Sequence, residues 1–233
     1  MDNVLVTGAS RGLGAAISER LAADGFHVIA VARKIKEPTA ERITPVAFDL
    51  AETAAIADFV RGLRQRFGPI YGLVNNAGLG TEGLLANMPD AEIEALIRLN
   101  TLSPIIMSKY VVRGMMAQGR GRVVNISSII ASTGFNALSV YAATKASLVG
   151  FTRSLAREVG RVGVTVNAIA PGFIDTEMTR GLGEKERERI VARSALRRLA
   201  EPADVAAMAA YLISEAGRNV SGAVMTVDAG STA

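Results

Sequence analysis

The sequence predicts an α/β fold in which helices cover both faces of a parallel sheet of about seven strands. Short apolar runs rich in Val and Ile recur along the 233 residues without regular polar alternation, which is typical of strands buried on both faces. Segments of helix length separate these runs. No internal repeat or Pro/Gly-rich linker divides the chain, so we expect one domain over residues 1–233.

The same alternation places each element along the chain. The predicted strands are Val4–Thr7, His27–Val31, Thr44–Phe48, Gly72–Asn75, Arg122–Ser127, Thr165–Ala170 and Ala223–Val227. The predicted helices are Gly14–Ala23, Thr53–Phe67, Asp90–Ala117, Val140–Arg161 and Pro202–Glu215. Because right-handed crossovers join successive parallel strands, these elements predict a doubly wound sheet that binds its ligand outside the carboxyl ends of the strands.

Composition excludes several classes of function. The chain has no Cys and a single His, His27, which excludes disulfides, thiolate metal sites, a Cys nucleophile and a multi-histidine metal site. The 26 basic residues are dispersed among 22 acidic ones and there is no Trp, so we do not expect nucleic-acid binding. No apolar run approaches the roughly 20 residues of a membrane helix, and no signal-peptide pattern opens the chain. We expect a soluble, cytoplasmic protein.

A glycine-rich loop, Thr7-Gly-Ala-Ser-Arg-Gly-Leu-Gly14, connects the first predicted strand to the first predicted helix. Gly8 allows a tight turn, Gly12 lets backbone N–H groups approach a pyrophosphate, and Gly14 permits close packing of helix on strand. The N-terminus of the helix supplies positive potential for phosphates. In this strand–loop–helix context the loop predicts a Rossmann-like dinucleotide site.

The spacing Gly-x3-Gly-x-Gly resembles the fingerprint of the short-chain dehydrogenase/reductase family, which implies hydride transfer with a nicotinamide cofactor. The resemblance extends from Val4 to Gly230, and the motifs of the family fall in order. It also implies that Ser10, Arg11 and Leu13 of the loop contact the cofactor.

The end of the second predicted strand distinguishes NAD from NADP. Ala32 stands where NAD-dependent members of the family carry Asp, so no acceptor is present for a ribose 2′-hydroxyl. Arg33 and Lys34 follow, and we expect Arg11 to project toward the same place. Cations there suit a 2′-phosphate, although two solvated surface cations would give the same pattern. The sequence therefore favours NADP(H).

Three further segments match the cofactor contacts of the family. By resemblance these contacts are Asp49, Leu50, Asn76, Ala77, Gly78, Pro171, Gly172, Ile174 and Thr176. The first two end the third strand, near the adenine, and the next three belong to Asn75-Asn-Ala-Gly78, near the adenosine ribose. The resemblance implies that the backbone at Ile174 and the hydroxyl of Thr176 hold the nicotinamide carboxamide.

A Tyr–Lys pair opens a long helix in the sequence Tyr141-Ala-Ala-Thr-Lys145. Residues four apart lie on one helix face, so the phenol and the ammonium can face one ligand. A phenol titrates near pKa ~10, and a neighbouring ammonium lowers that pKa by favouring phenolate. Tyr141 can then give a proton to a carbonyl oxygen that is receiving hydride. We expect Lys145 to bind the nicotinamide ribose as well, as the family resemblance implies.

Two more residues complete the predicted reactive centre. Ser128 lies just after the strand Arg122–Ser127, on the ligand side of the sheet, where its hydroxyl can stabilise a developing alkoxide. Ser127 competes for this role, and the spacing of the family favours Ser128. Asn100 resembles the fourth catalytic residue of the family, although a buried Asn bonded to its own helix backbone is the alternative.

Residues 172–200 interrupt the alternation with a charged segment that begins at Pro171-Gly172. A long insertion beyond the carboxyl end of a strand is well placed to cover a ligand, so we expect a substrate lid there. A surface excursion without a role is the alternative.

Within the family, the features are most similar to those of 3-oxoacyl-acyl-carrier-protein reductases of fatty acid synthesis. That resemblance implies an acyl carrier protein as partner, with Arg120 and Arg161 as loosely identified cations for it. Asp228-Ala-Gly230 stands where Asp-Gly-Gly is common, and we expect Ala229 to matter little unless that turn requires positive φ.

Three alternatives stay open at this point. One is a related enzyme acting on a sugar, polyol, steroid or xenobiotic carbonyl. A second is an NADP-binding sensor on the same fold, since fold does not settle function. A third is a hydrolase using Ser128 with His27, whose place at the start of a strand favours a structural role instead.

A homotetramer is expected by resemblance and from the apolar faces of late segments. The helix Pro202–Glu215 carries an apolar stripe, and the strand Ala223–Val227 is the expected sheet edge, which twofold pairing would cover. The long helices Asp90–Ala117 and Val140–Arg161 could form the other contact, or each stripe could face only its own sheet.

Overall fold

The computed structural model describes residues 1–35, 40–174 and 183–233, apart from the side chains at 184 and 186. The strands are β1 (Asn3–Thr7), β2 (His27–Ala32), β3 (Ile43–Ala47), β4 (Ile70–Asn75), β5 (Gly121–Ile126), β6 (Val164–Pro171) and β7 (Val224–Val227). The α-helices are α1 (Gly12–Ala23), α2 (Ile56–Phe67), α3 (Asp90–Ile97), α4 (Ser103–Gln118), α5 (Ile130–Thr133), α6 (Ser139–Val159), α7 (Glu184–Arg193) and α8 (Pro202–Ile213).

All seven strands are parallel and form one sheet in the order β3-β2-β1-β4-β5-β6-β7. The predicted doubly wound fold is confirmed. The chain moves outward from β1 through β2 to β3 and then returns to add β4 on the other side of β1. This reversal leaves a crevice at the carboxyl ends of β1 and β4, which is where such sheets bind ligands.

The apolar core lies in two layers, one on each face of the sheet. On one face, buried side chains of α1 and α8 pack against the sheet and against each other, including Ile17, Leu21 and Val205. On the other face, α2 and α4 contribute buried residues such as Val60 and Val111. The N-terminal helix is therefore supported by the C-terminal helix.

The chain is helical from Asp90 to Gln118, in agreement with the predicted helix Asp90–Ala117, but a π-helical segment, Arg98–Leu102, breaks the α-helical hydrogen-bond pattern between α3 and α4. Pro104 explains the break. Its nitrogen carries no hydrogen, so it cannot donate the α-helical bond to the carbonyl of Asn100, four residues earlier. Single turns of π-helix are frequent at functional sites, and this one contains Asn100.

His27 holds three strands together at the amino edge of the sheet. Its Nδ1 lies 2.7 Å from Oδ1 of Asn3 and its Nε2 lies 2.9 Å from Oγ1 of Thr44. The Asn3 amide nitrogen already donates to two carbonyls, so its Oδ1 is the acceptor and Nδ1 of His27 carries the hydrogen. Burial lowers the pKa of His27. Since Ser128 follows the carboxyl end of β5, His27 lies at the opposite edge of the sheet from it and cannot act as the base that the hydrolase alternative requires.

Candidate active site

The glycine-rich loop has the geometry that a phosphate-binding loop requires. Gly8 and Gly12 have φ values of +67° and +56°, a region that side chains disfavour. A Cβ at Gly14 would collide with the carbonyl oxygen of Gly8, so helix and loop can approach only because Gly14 is glycine. The first turn of α1 carries no acidic residue, which leaves its positive end available to phosphates. Ser10 and Arg11 of the loop are exposed and Leu13 is half-buried.

The Asn75–Gly78 segment fixes this loop from the neighbouring strand. The amide nitrogen of Asn76 donates to the carbonyls of Thr7 and Gly8, at 2.9 and 3.2 Å. The hydroxyl of Thr7 accepts from the backbone N–H groups of Asn76 and Ala77, at 3.0 and 3.1 Å. The two segments therefore form one rigid floor at the crevice between β1 and β4.

The cations proposed for a 2′-phosphate lie beside this floor. The backbone N–H of Ala9 donates to the carbonyl of Val31 at 3.1 Å, which places the loop next to the end of β2. Ala32 is the last residue of β2 and is buried, whereas Arg33 and Lys34 follow it directly and are exposed. No carboxylate occupies the position of Ala32, so the described residues fit a phosphate better than a ribose hydroxyl.

The predicted adenine contacts follow β3, the next strand outward. The backbone N–H of Phe48 donates to the carbonyl of Ala32 at 3.0 Å, so this segment adjoins the end of β2. Leu50 is buried, and the carboxylate of Asp49 accepts from the N–H of Ala51 at 2.9 Å. Both residues thus border the same edge of the sheet as the glycine loop.

Ser128 and Tyr141 lie near each other at the carboxyl end of β5, close enough for the Ser128 hydroxyl to lower the pKa of the Tyr141 phenol. The hydroxyl of Ser128 also accepts from the N–H of Ile130 at 3.2 Å, which orients it at the start of the short helix α5. Tyr141 lies in the first turn of α6 and is half-buried. The pair brings two hydroxyl groups to one place, as hydrogen bonding to a single carbonyl oxygen requires.

Lys145 is buried one turn further along α6. Its ammonium donates to the carbonyl of Ile126 at 2.9 Å and lies 5.7 Å from the centroid of the Tyr141 ring. Its backbone carbonyl accepts from the hydroxyl of Ser127 at 2.9 Å. Ser127 is therefore committed to the backbone of α6, whereas Ser128 contacts Tyr141, which favours Ser128 over its competitor.

Burial dominates the electrostatics of this pair. It raises the pKa of Tyr141, opposed by the hydrogen bond from Ser128, and it lowers the pKa of Lys145 to about 8. The expected net lowering of the Tyr141 pKa is wrong for this structure, because desolvation outweighs the effects that favour the phenolate. Tyr141 thus keeps its proton at neutral pH, the form that a proton donor to a carbonyl needs.

Asn100 holds the loop after β4 against α6. Its Oδ1 accepts from the N–H of Leu79 at 2.8 Å, and its Nδ2 donates to the carbonyl of Leu79 at 2.9 Å and to Oγ1 of Thr144 at 3.2 Å. The side chain is thus not bonded to its own helix. A Cβ at Gly78 would lie 3.2 Å from Oδ1 of Asn100 and 3.5 Å from Nζ of Lys145, so the three residues are neighbours.

Thr144 belongs to the site and was not foreseen from the sequence. Its hydroxyl accepts from Asn100 and donates to the carbonyl of Tyr141 at 2.8 Å, which links the π-helical segment to the helix of the reactive centre. It is buried. In the sequence, only its position between Tyr141 and Lys145 could have indicated this role. The spacing argument considered those two residues and not the ones between them.

The segment after β6 lies next to the reactive centre. The carbonyl of Pro171 accepts from the N–H of Ile129 at 3.0 Å, which joins the ends of β5 and β6. A Cβ at Gly172 would lie 2.6 Å from Cβ of Asp228, so only glycine fits there. Ile174 is buried and forms an isolated bridge with Ala200. Thr176, and with it part of the predicted lid, lies outside the described residues.

The two cations suggested for an acidic carrier protein lie elsewhere. Arg120 precedes β5 and Arg161 precedes β6, at the amino edge of the sheet. Strands of this length separate them from Tyr141 by about 20 Å within one chain. Arg120 is also ion-paired with Asp2 and lies 5.0 Å above the ring of Tyr71. Within one chain these cations are therefore remote from the reactive centre, and their role in binding a carrier protein stays a prediction.

Ala229 adopts a positive φ of 54°, so the turn at Asp228–Gly230 does require the conformation that glycine favours. The condition under which Ala229 was expected to matter is therefore met. The carboxylate of Asp228 accepts from the N–H groups of Gly230 and Thr232, at 2.8 and 2.9 Å, which fixes the turn. The carbonyl of Ala229 in turn accepts from the N–H of Leu196 at 3.1 Å.

No described helix is both long and apolar enough to cross a membrane. In the same part of the chain, no three His, Cys, Asp or Glu side chains are grouped to hold a metal ion.

Comparison with known proteins agrees with this geometry. The short chain dehydrogenase family matches residues 2–187. The 3-oxoacyl-[acyl-carrier-protein] reductase FabG of Escherichia coli K12 is 39% identical over 234 residues, covering 97% of this chain and 95% of the relative. The 3-oxoacyl-[acyl-carrier-protein] reductase MabA of Mycobacterium bovis is 36% identical over 228 residues, covering 98% and 92%.

A solved structure shares the whole architecture. It is the crystal structure of a protein assigned as a gluconate dehydrogenase from Agrobacterium tumefaciens, with a TM-score of 0.93 and 26% sequence identity. The alignment covers 99% of this chain and 95% of that one.

Proposed function

Because the chain belongs to the short-chain dehydrogenase/reductase family and is an oxidoreductase, we propose that it reduces a ketone to an alcohol with NADPH. The substrate we propose is the 3-oxoacyl thioester of acyl carrier protein in fatty acid synthesis. One observation carries the proposal above all. Ser128 and Tyr141 lie near each other beside buried Lys145, whose ammonium is 5.7 Å from the Tyr141 ring centroid, at the edge of the sheet that also holds the phosphate-binding loop.

The residues of the site divide the reaction between them. NADPH, when bound, supplies the hydride that reaches the carbonyl carbon. Tyr141 gives its proton to the carbonyl oxygen as negative charge develops there, and Ser128 donates a hydrogen bond to the same oxygen. Lys145 stabilises the phenolate that remains, since its ammonium lies near the ring. Asn100 and Thr144 hold the loop at Gly78 and the first turns of α6 in place.

The cofactor residues proposed here form a continuous edge from β3 to β6. The loop Gly8–Gly14 would hold the pyrophosphate, and Arg11, Arg33 and Lys34 would hold the 2′-phosphate. Asp49, Leu50, Asn76, Ala77 and Gly78 would border the adenosine, and Lys145, Pro171, Gly172, Ile174 and Thr176 the nicotinamide end. The cofactor part is tested by kcat/KM for NADPH and NADH with one ketone. We expect a preference for NADPH, and equal values would reject it.

The substrate is tested by NADPH oxidation across a panel of an acetoacetyl thioester, a ketose and a cyclic ketone. The names of the relatives support the thioester, so we expect the highest kcat/KM for it. The similar solved structure is assigned as a gluconate dehydrogenase, so sugar acids are the second candidate class of substrate. Highest activity on a sugar or sugar acid would replace the first proposal by the second. Cofactor binding without turnover of any carbonyl would instead support a sensor, despite the complete Ser128–Tyr141–Lys145 set.

We also propose a homotetramer. The strand β7 is the edge of the sheet, and Tyr211 on α8, Leu102 in the π-helical segment and Met116 on α4 are large side chains at least 40% exposed. Pairing of two copies along these faces would cover them. Sedimentation at micromolar concentration should give four times the chain mass of 24.4 kDa. A single species at the chain mass would reject the tetramer, and one at twice that mass would leave one interface.

A further inference from the structure

Two aromatic rings lie in segments that adjoin the reactive centre along the chain, and neither has a role in the steps described above. Phe135 is 45% exposed, although it is a large apolar side chain. Its ring centroid lies 5.8 Å from that of Phe173, and the ring planes meet at 64°, an edge-to-face arrangement. Such a pair presents an apolar surface of fixed shape.

The connections of the chain place this pair beside the site. Phe135 belongs to the loop Gly134–Leu138. This loop joins α5, which begins two residues after Ser128, to α6, which carries Tyr141. Phe173 is the second residue after β6, whose last carbonyl accepts from the N–H of Ile129. The two rings thus belong to the segments that follow the carboxyl ends of β5 and β6, the same edge of the sheet at which Ser128 lies.

The backbone holds the loop of Phe135 in an uncommon conformation. Gly134 has a φ of +68°, and Ala137 has a φ of +62°, which a residue with a side chain rarely adopts. The carbonyl of Ala137 accepts from the N–H of Gly83 at 2.9 Å, and the N–H of Leu138 donates to the carbonyl of Phe135 at 3.2 Å. These bonds keep the Phe135 ring at the surface rather than in the core.

We infer that Phe135 determines substrate specificity, by giving the site an apolar wall that binds an unbranched alkyl chain attached to the reacting carbonyl. This inference rests on the proposed ketone reduction and adds the class of group beside the carbonyl. Binding is favoured when an alkyl chain covers the exposed ring, because the apolar surfaces of both lose contact with water. The hydroxyl groups of a sugar would lose water there without finding partners on the ring, so the wall disfavours them.

The experiment compares substrates of two acyl chain lengths in variants at Phe135. The kcat/KM values for the N-acetylcysteamine thioesters of acetoacetate and 3-oxooctanoate are measured with NADPH for the wild type, Phe135→Ala and Phe135→Leu. We expect Phe135→Ala to lower the value for the eight-carbon substrate about tenfold, and that for the four-carbon substrate less than about threefold, as is typical of a lost apolar contact. Phe135→Leu should retain most of the difference, because its side chain is still apolar.

A structural role for Phe135 predicts another result. Equal losses with both thioesters, or a loss of NADPH affinity measured by fluorescence, would overturn the inference. Phe67→Ala serves as the matched control, since Phe67 is half-buried at the end of α2, where its ring centroid lies 5.5 Å from that of His27 at the amino edge of the sheet, and it should leave the chain-length ratio unchanged.

A second substrate pair separates this inference from the proposed function. The wild type and Phe135→Ala are also compared on 2-octanone and the ketose erythrulose. If the thioesters are not reduced but 2-octanone is preferred, and the preference falls in Phe135→Ala, the acyl substrate is wrong and the role of Phe135 stands. If erythrulose is preferred and the variant does not change that preference, the role of Phe135 is overturned.

Discussion

The hydroxyl of Ser127 donates a 2.9 Å hydrogen bond to the backbone carbonyl of Lys145. The carbonyl of Ile126, the residue before Ser127, accepts a second bond from the Lys145 ammonium, also at 2.9 Å. The end of β5 therefore fixes both the backbone and the charged end of one lysine. This double attachment keeps the ammonium buried in the site, although burial disfavours its charge.

Lys145→Met should stabilise the fold at neutral pH and remove activity. The pKa of Lys145 is lowered from 10.5 to about 8, so keeping its charge opposes folding by ~3 kcal/mol below pH 8. Loss of the bond to Ile126 offsets about 1 kcal/mol, which leaves a net gain of ~1–2 kcal/mol for the variant. Urea unfolding at pH 7 measures this difference.

The pH dependence gives the same prediction an independent check. Between about pH 8 and pH 10.5 the unfolded wild-type chain binds a proton at Lys145 that the folded chain does not. Wild-type stability relative to the variant therefore rises with pH across this window, and the advantage of Lys145→Met shrinks. Lys109→Met, at an exposed lysine of α4, should show no such trend. A difference that stays constant from pH 7 to pH 10 would contradict the buried-charge explanation.

Tyr141→Phe should lower kcat for ketone reduction by about 10²–10⁴-fold, because it removes the proton donor. The phenyl ring keeps the packing of the half-buried side chain, so NADPH affinity should change little. Stopped-flow turnover and fluorescence titration measure the two quantities on one sample. Near-normal turnover would exclude Tyr141 as the acid.

A change of charge at the end of β2 should alter the preference for NADPH over NADH. Ala32→Asp combined with Arg33→Ala introduces a carboxylate for a ribose 2′-hydroxyl and removes a cation from the 2′-phosphate. The ratio of kcat/KM for NADPH to that for NADH should fall in the double variant. Arg20→Ala, at an exposed residue of α1 that is ion-paired with Asp24, serves as the charge control and should leave the ratio unchanged. An unchanged ratio in the double variant would show that these residues do not select the cofactor.

Ala229→Gly should stabilise the protein slightly. Ala229 has a φ of 54°, and a left-handed conformation costs an L-residue about 1–2 kcal/mol relative to glycine. The greater conformational freedom of glycine in the unfolded chain offsets about 0.4–1 kcal/mol of this stabilisation, so the free energy of unfolding should rise by ~0.5 kcal/mol. Thermal unfolding checks the sign. Ala207→Gly, inside α8, should lower the melting temperature instead.

The strands could be predicted closely because each is a local run of buried Val and Ile. The largest difference is at β4, which starts at Ile70 rather than Gly72. Glycine usually weakens a strand, but a Cβ at Gly72 would lie 2.9 Å from Cγ1 of Val4 on the adjacent strand. This close approach depends on a residue far away in the chain, so the local pattern could not reveal it.

The site shows the same division between local and distant information. Tyr141 and Lys145 share a helix, so their spacing sufficed to place them together. The pKa direction of Tyr141 was missed, since it depends on how deeply the rest of the fold buries the ring. The bond of Asn100 to Leu79 was missed for a similar reason, because it joins separate segments across a π-helical turn.

The packing of α1 against α8 has a consequence for the synthesis of the chain. The phosphate-binding loop leads into α1, whose apolar face is covered by a helix that begins only at Pro202. A nascent chain that has not yet released this last helix leaves Ile17 and Leu21 without part of their packing. We therefore expect that a nascent chain whose α8 is still inside the ribosome binds a dinucleotide more weakly than a chain in which α8 has packed against α1.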